Sequence, residues 1–157
     1  MITTQTINTT DSLVNFQVKK FGLMKVNGTI SGLQGQINFD PQNLEAANFD
    51  VSVELASINT ASAKRDEHLK QSDFFDVANH PHISFKSSRV MAVGSGYKAI
   101  GTLTIRGIAK EVVIPFEYKN NRFEGNLEIH RADFQVGKLP GFIVSKKIAV
   151  SITCVMG

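Results

Sequence analysis

The amino-acid sequence predicts a mainly β fold: about eight antiparallel strands closing into a barrel, with one helical crossover insert at about residues 61–76. Three observations predict it. Almost every segment outside residues 57–88 alternates apolar and polar residues with period two, which gives each strand one apolar face. Residues 57–88 break that pattern and are rich in helix formers, charges, aromatics and histidines. The chain has 157 residues, the length of one domain with room for one sizeable core. Residues 1–157 are therefore expected to form a single barrel domain.

In the first strand, over residues 13–19, Val14, Phe16 and Val18 share one face, and Phe21-Gly22 turns the chain. A long second strand spans 25–39. Val26, Gly28 and Ile30 are in one phase; Leu33, Gly35, Ile37 and Phe39 are in the other. The switch near Ser31-Gly32 predicts a bulge, because one inserted residue flips every later side chain. Glycines at 28, 32 and 35 imply bending or room inside the fold, bending being the plainer reading. After the loop Asp40-Pro41-Gln42-Asn43-Leu44, strict alternation of Phe49, Val51, Val53 and Leu55 with Asp50, Ser52, Glu54 and Ala56 gives a third strand.

Residues 61–71 read as a helix, with Thr60 or Ser62 as N-cap, ending well before Pro81. Ser72-Asp73-Phe74-Phe75-Asp76 reads as a tight turn that presses two aromatics onto the barrel. Strands follow over 82–93, 97–105, 111–119, 122–129 and 146–155. Gly94-Ser95-Gly96 and Asn120-Asn121 supply hairpin turns. Pro115 cannot donate to a ladder, so it marks a bulge or a gap. A two-sheet sandwich is the alternative, but long, bulged, glycine-bearing strands favour curvature and closure.

Composition narrows the function. Apolar content of 42% and charged content of 20% describe an ordinary soluble globular chain. No apolar run approaches the roughly 20 residues needed for a membrane-spanning helix. Met1-Ile2-Thr3-Thr4-Gln5 has neither a positive n-region nor an apolar h-region, so no signal peptide is expected. The chain as written is expected to be cytoplasmic, or periplasmic if a leader has been removed. Net charge is +3, and the basic residues are scattered rather than interleaved with aromatics, which argues against nucleic-acid binding. Cys154, in phase with Ile148, Val150 and Ile152, reads as a small buried hydrophobe.

Catalysis finds little support. There is no G-x-S-x-G elbow and no cysteine with a local histidine partner, so no catalytic residue is expected. A metal-dependent enzyme would have to use His68, His80 and His82. No further ligand stands at conventional spacing, and neither a metal nor another cofactor is expected.

Three stretches resemble the YceI-like family of bacterial proteins. The most specific joins Ser57-Ile58-Asn59-Thr60, Arg65-Asp66-Glu67-His68-Leu69, Asp73-Phe74-Phe75-Asp76 and Pro81-His82-Ile83-Ser84-Phe85-Lys86-Ser87, in the family's order and spacing. The second, Gly101-Thr102-Leu103-Thr104-Ile105-Arg106-Gly107, is similar to the family's G-x-L-T-I-R-G strand and turn. The third, Arg131-Ala132-Asp133-Phe134, resembles its R-x-D-F segment. The chain departs from the family at its first strand, where Asp11-Ser12 stands in place of a His-Ser pair and Lys19-Lys20 where a second histidine is expected.

The resemblance implies a lipocalin-like barrel around a long apolar tunnel that holds a polyisoprenoid or other long-chain lipid. It also implies a homodimer, since the family contains dimers. On periodicity alone a filled interior is the plainer reading, and a packed-core stress-response or interaction module without ligand is the alternative. With the resemblance, the apolar faces become the expected lining: Phe16 and Val18; Ile37; Val51 and Val53; Phe85; Leu103 and Ile105; Ile114 and Phe116; Leu127 and Ile129; Val150 and Ile152. Arg65, Asp66 and His68 form the sharpest polar cluster. They would serve as a head-group clamp or acid/base site at the tunnel mouth, or fasten the helix to the barrel. The fastening role is the plainer one, with Asp66 capping backbone donors or pairing with an arginine such as Arg106. Phe74-Phe75 is expected to plug the barrel end.

Overall fold

The computed structural model describes residues 4–139, 141 and 143–157. Its strands are β1 (Thr4–Gln5), β2 (Leu13–Lys20), β3 (Met24–Ile30), β4 (Gln34–Asn38), β5 (Asn48–Glu54), β6 (His82–Val93), β7 (Gly96–Ile105), β8 (Ile108–Lys119), β9 (Arg122–His130) and β10 (Lys147–Val155). One helix, α1 (Ala63–Leu69), lies in the crossover between β5 and β6. All strands belong to one antiparallel sheet in the order β1-β4-β5-β6-β7-β8-β9-β10-β2-β3. The fold is the expected lipocalin-like β architecture.

The two ends of that order meet. β3 runs through Ser31–Gly32–Leu33 into β4, so one long strand pairs β2 with its first half and β5 with its second. Thr29 and Asn59 exchange backbone hydrogen bonds of 2.9 and 3.0 Å, and Glu54 donates to Ser31 at 3.1 Å. At the other end Ile7, just beyond β1, bridges Met156, just beyond β10. The sheet thereby curls round on itself, and apolar faces with period two point into one interior.

There are more strands than the eight expected. A short β1 carries no periodic signal, and the long strand is divided. The division falls where the phase switch predicted it: Gly32 adopts φ 75° and Gly35 φ 129°, conformations glycine enters without steric cost. A Cβ at Gly35 would collide with the Asp50 carbonyl oxygen, so β4 and β5 approach too closely for any larger residue.

The helix is shorter than the expected 61–71. Ser62 caps it, its hydroxyl accepting from the Arg65 N–H, and the segment after Leu69 continues as turns to His80. Pro115 stands opposite Lys98 of β7, while the β8–β9 ladder ends at Phe116 and Gly125. Beyond that pair the two strands part, and the 3-10 turn Arg131–Phe134 packs against both.

One end of the barrel is solid. Phe39 sits among Phe49, Tyr97, Phe116, Tyr118 and Phe123, with ring centroids 4.9–6.2 Å away. Tilted and edge-on aromatic pairs of this kind add roughly 0.5–1.5 kcal/mol each beyond their burial. Ile37 is also buried within the core. The opposite end gathers the crossover, the β2–β3 and β7–β8 turns and the loop residues 135–139 and 143–146.

Candidate ligand-binding cavity

Above the aromatic floor the interior is hollow. A cavity of about 600 Å³ opens between the strands and the crossover, within the roughly 300–1,000 Å³ typical of small-molecule sites. β2 contributes Phe16 and Val18, β5 Val51 and Val53, β6 Phe85, β7 Leu103 and Ile105, β8 Ile114, β9 Leu127 and Ile129, and β10 Val150 and Ile152. These are the expected lining residues.

Ile37 and Phe116 are the two exceptions. Both point inward as the alternation requires, but they lie at the floor, where Phe116 stacks on Tyr97 at 5.4 Å. Periodicity reports which face a side chain is on, not its height along the barrel axis. For the same reason the solid-core alternative describes the floor and fails above it.

The wall includes residues outside the expected lining. Val14, Val26, Ile30 and Ile148 stand in phase with residues already singled out, and strict periodicity would have found them. Arg131, Phe134, Val136, Leu139 and Val144 come from a turn and a loop, where no period exists. Phe74 and Phe75, expected as a plug, line the cavity as part of its wall.

Gly28 makes room for one wall residue. It stands opposite Phe16 on β2, and a Cβ there would overlap the Phe16 ring at Cζ. The missing side chain is the seat of the Phe16 ring, so this glycine supplies room, whereas Gly32 and Gly35 supply the bend.

The polar cluster divides. Asp66 Oδ1 accepts from the Thr60 N–H at 2.9 Å and from its hydroxyl at 2.5 Å. Arg65 Nε donates to Thr60 Oγ1 at 2.8 Å and Nη2 to the Thr60 carbonyl at 2.5 Å. Asp66 is therefore a helix fastener, not a partner of Arg106, whose Nη1 instead donates to the carbonyls of Phe74 and Gln135 at 2.8 and 2.9 Å. Arg65 and His68 both reach the cavity wall; Asp66 does not. His68 Nε2 lies 3.1 Å from Asp73 Oδ2, and its ring meets Phe74 edge-on at 4.9 Å.

Arg131 explains the R-x-D-F segment. It is buried, and among the described residues its guanidinium donates to backbone carbonyls: Nε to Ser145 at 2.9 Å, Nη1 to Val136 at 3.3 Å, and Nη2 to Leu139 and Val144 at 2.6 and 2.8 Å. Burial lowers its pKa from the ordinary guanidinium value. One side chain thus gathers the loop that forms one wall of the mouth. Among the described residues, the charged or imidazole groups on the cavity wall are Lys20, Lys64, Arg65, His68 and Arg131, with no carboxylate. Lys64, His68 and Leu139 are exposed as well as cavity-lining, so the cavity opens at this end.

His68, His80 and His82 do not converge. His68 faces Asp73, and His80 lies 4.0 Å from Asp76. Among the described residues no group of three or more His, Cys, Asp or Glu side chains could hold a metal ion.

A one-sheet antiparallel barrel with a solid floor, an apolar cavity and a helical crossover at the open end is a lipocalin-like barrel. The YceI-like domain model matches residues 5–156, and the chain belongs to that family. It is 33% identical over 138 residues to a UPF0312 protein of Ectopseudomonas mendocina (strain ymp), spanning 81% of this chain and 72% of that one. A UPF0312 protein of Yersinia pestis (strain Pestoides F) is 30% identical over 135 residues, spanning 80% and 70%.

Among solved structures, the Campylobacter jejuni YCEI protein aligns with TM-score 0.77 at 29% identity over 86% of each chain. Burkholderia cenocepacia BcnA aligns with TM-score 0.89 at 24% identity, over 94% of this chain and 98% of that one. A polyisoprenoid binding domain from Saccharophagus degradans aligns with TM-score 0.70 at 13% identity, over 98% and 97%. The last two share the fold.

Proposed function

We propose that this chain is a non-catalytic lipid-binding protein. It holds a long apolar chain, of polyisoprenoid or fatty-acyl type, in the barrel for transport, storage or sensing. The observation that carries the reading is the cavity itself, about 600 Å³ with an almost wholly apolar wall. Burial of methylene groups contributes roughly 0.8 kcal/mol each, so each five-carbon isoprene unit contributes about 4 kcal/mol before ordering costs. The shared fold of the Saccharophagus degradans domain supports the same class of ligand.

The tail lies against the strand residues, and the head lies at the open end beside Arg65, His68 and Lys64. Those side chains favour a head group that accepts hydrogen bonds or carries negative charge. The reading requires no metal or organic cofactor. Native mass spectrometry of the purified protein tests it, with solvent extraction to identify what is released. A copurifying long-chain lipid is the expected result. Protein that is consistently empty and takes up neither isoprenoid nor fatty-acyl chains overturns it.

A further inference from the structure

Among the described residues, four of the six large exposed apolar side chains lie together at the open end of the barrel; the other two, Val93 and Val113, stand apart on β6 and β8. Phe21 is 62% exposed, Leu23 88%, Met24 60% and Leu139 43%. The first three form the tip of the β2–β3 hairpin, and Leu139 belongs to the adjoining loop. The Phe21 N–H donates to the Ile143 carbonyl at 3.0 Å, and Lys20 bridges Val144. The tip also projects: Thr29 is already level with Asn59, past the end of β5, so residues 18–26 reach beyond the neighbouring strand.

Two local preferences are overridden at this tip. Phe21 has φ 52° and Gly22 φ 73°, and the Leu23 N–H donates to the Lys20 carbonyl at 3.2 Å. That is a type I′ turn, whose first central position suits Asn, Asp or Gly rather than a bulky aromatic. Lys19 also stands directly opposite Lys25, a like-charge pairing that weakens a hairpin. Neither choice serves the hairpin's own stability. Lys19, Lys20 and Lys25 flank the apolar tip along the hairpin, and Lys138 and Lys146 belong to the adjoining loop; all but Lys20, which also lines the cavity, are exposed. No described carboxylate stands within ion-pair distance of any of them.

An exposed apolar wedge flanked by lysines has the chemistry of attachment to an anionic bilayer surface: the wedge enters the head-group region and the lysines meet the anionic lipids. We propose that the β2–β3 tip docks this protein on an anionic lipid bilayer, with Phe21, Leu23 and Met24 inserted. Val18, Lys20 and Val26 on the same hairpin line the cavity, so docking brings the cavity mouth to the membrane. The proposal goes beyond lipid holding and fails separately from it.

Sedimentation with vesicles tests it, using phosphatidylcholine alone and phosphatidylcholine with about 30% phosphatidylglycerol. The wild type is expected to bind the anionic vesicles and to be released by salt. The double variant Phe21→Asn, Leu23→Ser should bind about tenfold more weakly. Lys19→Glu should bind about fivefold more weakly. Both variants should melt no lower than wild type, because asparagine suits the turn and a carboxylate in place of the Lys19 ammonium would face Lys25 with opposite charge; a merely structural role for the tip gives the opposite sign. Wild type left in the supernatant at low salt overturns the proposal, as does a double variant that binds like wild type. A dimer abolished by the double variant, without vesicle binding, assigns the tip to a second copy of this chain and also overturns it. Lipid content is read on the same samples: a variant that keeps its lipid but leaves the vesicles separates docking from holding.

Discussion

Asp66 grips Thr60 twice, accepting from its backbone N–H and from its hydroxyl with one carboxylate oxygen, while Arg65 holds the same residue through its carbonyl and hydroxyl oxygens. Thr60 is the buried residue at which the chain leaves the barrel and enters the helix. Asp66→Ala leaves the Thr60 donors without a partner and should destabilise the protein by about 3 kcal/mol. Asp66→Asn keeps the acceptor oxygen and should cost about 1 kcal/mol. Urea denaturation compares the two, and equal midpoints would show that the grip contributes nothing.

Gly28 governs the width of the cavity. Gly28→Val drives the Phe16 ring from its seat into the hollow and removes space equivalent to about two methylenes of ligand. Binding of a long-chain fluorescent fatty acid should weaken about tenfold, with a modest loss of about 1–2 kcal/mol in stability. Unchanged probe affinity in a folded variant would place the ligand elsewhere.

Arg131 organises the mouth from inside. Arg131→Met deprives the carbonyls of Val136, Leu139, Val144 and Ser145 of their donor and should cost about 3 kcal/mol. Arg131→Lys supplies a compact ammonium in place of a planar fork and should recover only part of that. Hydrogen exchange should quicken across residues 135–146 in both variants; exchange unchanged there would detach the arginine from the loop.

Cys154 provides a pH test. Burial pushes its thiol up to about 11 from an ordinary 9.0, so the neutral form is favoured in the folded state. A folded pKa above the unfolded one contributes stability that is complete below about pH 9 and lost as pH rises toward about 11. The difference corresponds to about 3 kcal/mol. Cys154→Val should lack this component, so wild type minus variant should fall between pH 8 and 11 in matched urea titrations. A thiol reagent at pH 8 should label wild type only as fast as it opens.

Much of the fold was legible because its cause is local. Alternation identifies the strands, the phase switch locates the break at Ser31–Leu33, and Pro115 marks the place where β8 leaves β9. The cavity wall was legible to the extent that Val51, Leu103 or Ile152 obey the same alternation. What stayed hidden depends on height and on tertiary reach. Ile37 and Phe116 share the inward phase, yet a cluster of rings closes over them. Arg131 lies outside any period, and its importance comes from four carbonyls that the chain brings round only after folding. Asp66 was readable as a fastener, but its partner Thr60 was not, since Arg106 satisfied the same charge argument from farther away.

The parting of β8 and β9 beside Pro115 has a mechanical consequence. Around most of the circumference, widening the bore means breaking a rung of the ladder. Along this seam no rung exists between the two strands, so the wall can yield there by moving side chains alone. Under the proposed lipid-holding function, bulkier or more branched chains should therefore strain the molecule least on that side, with Ile114 and Leu127 setting the breadth it tolerates.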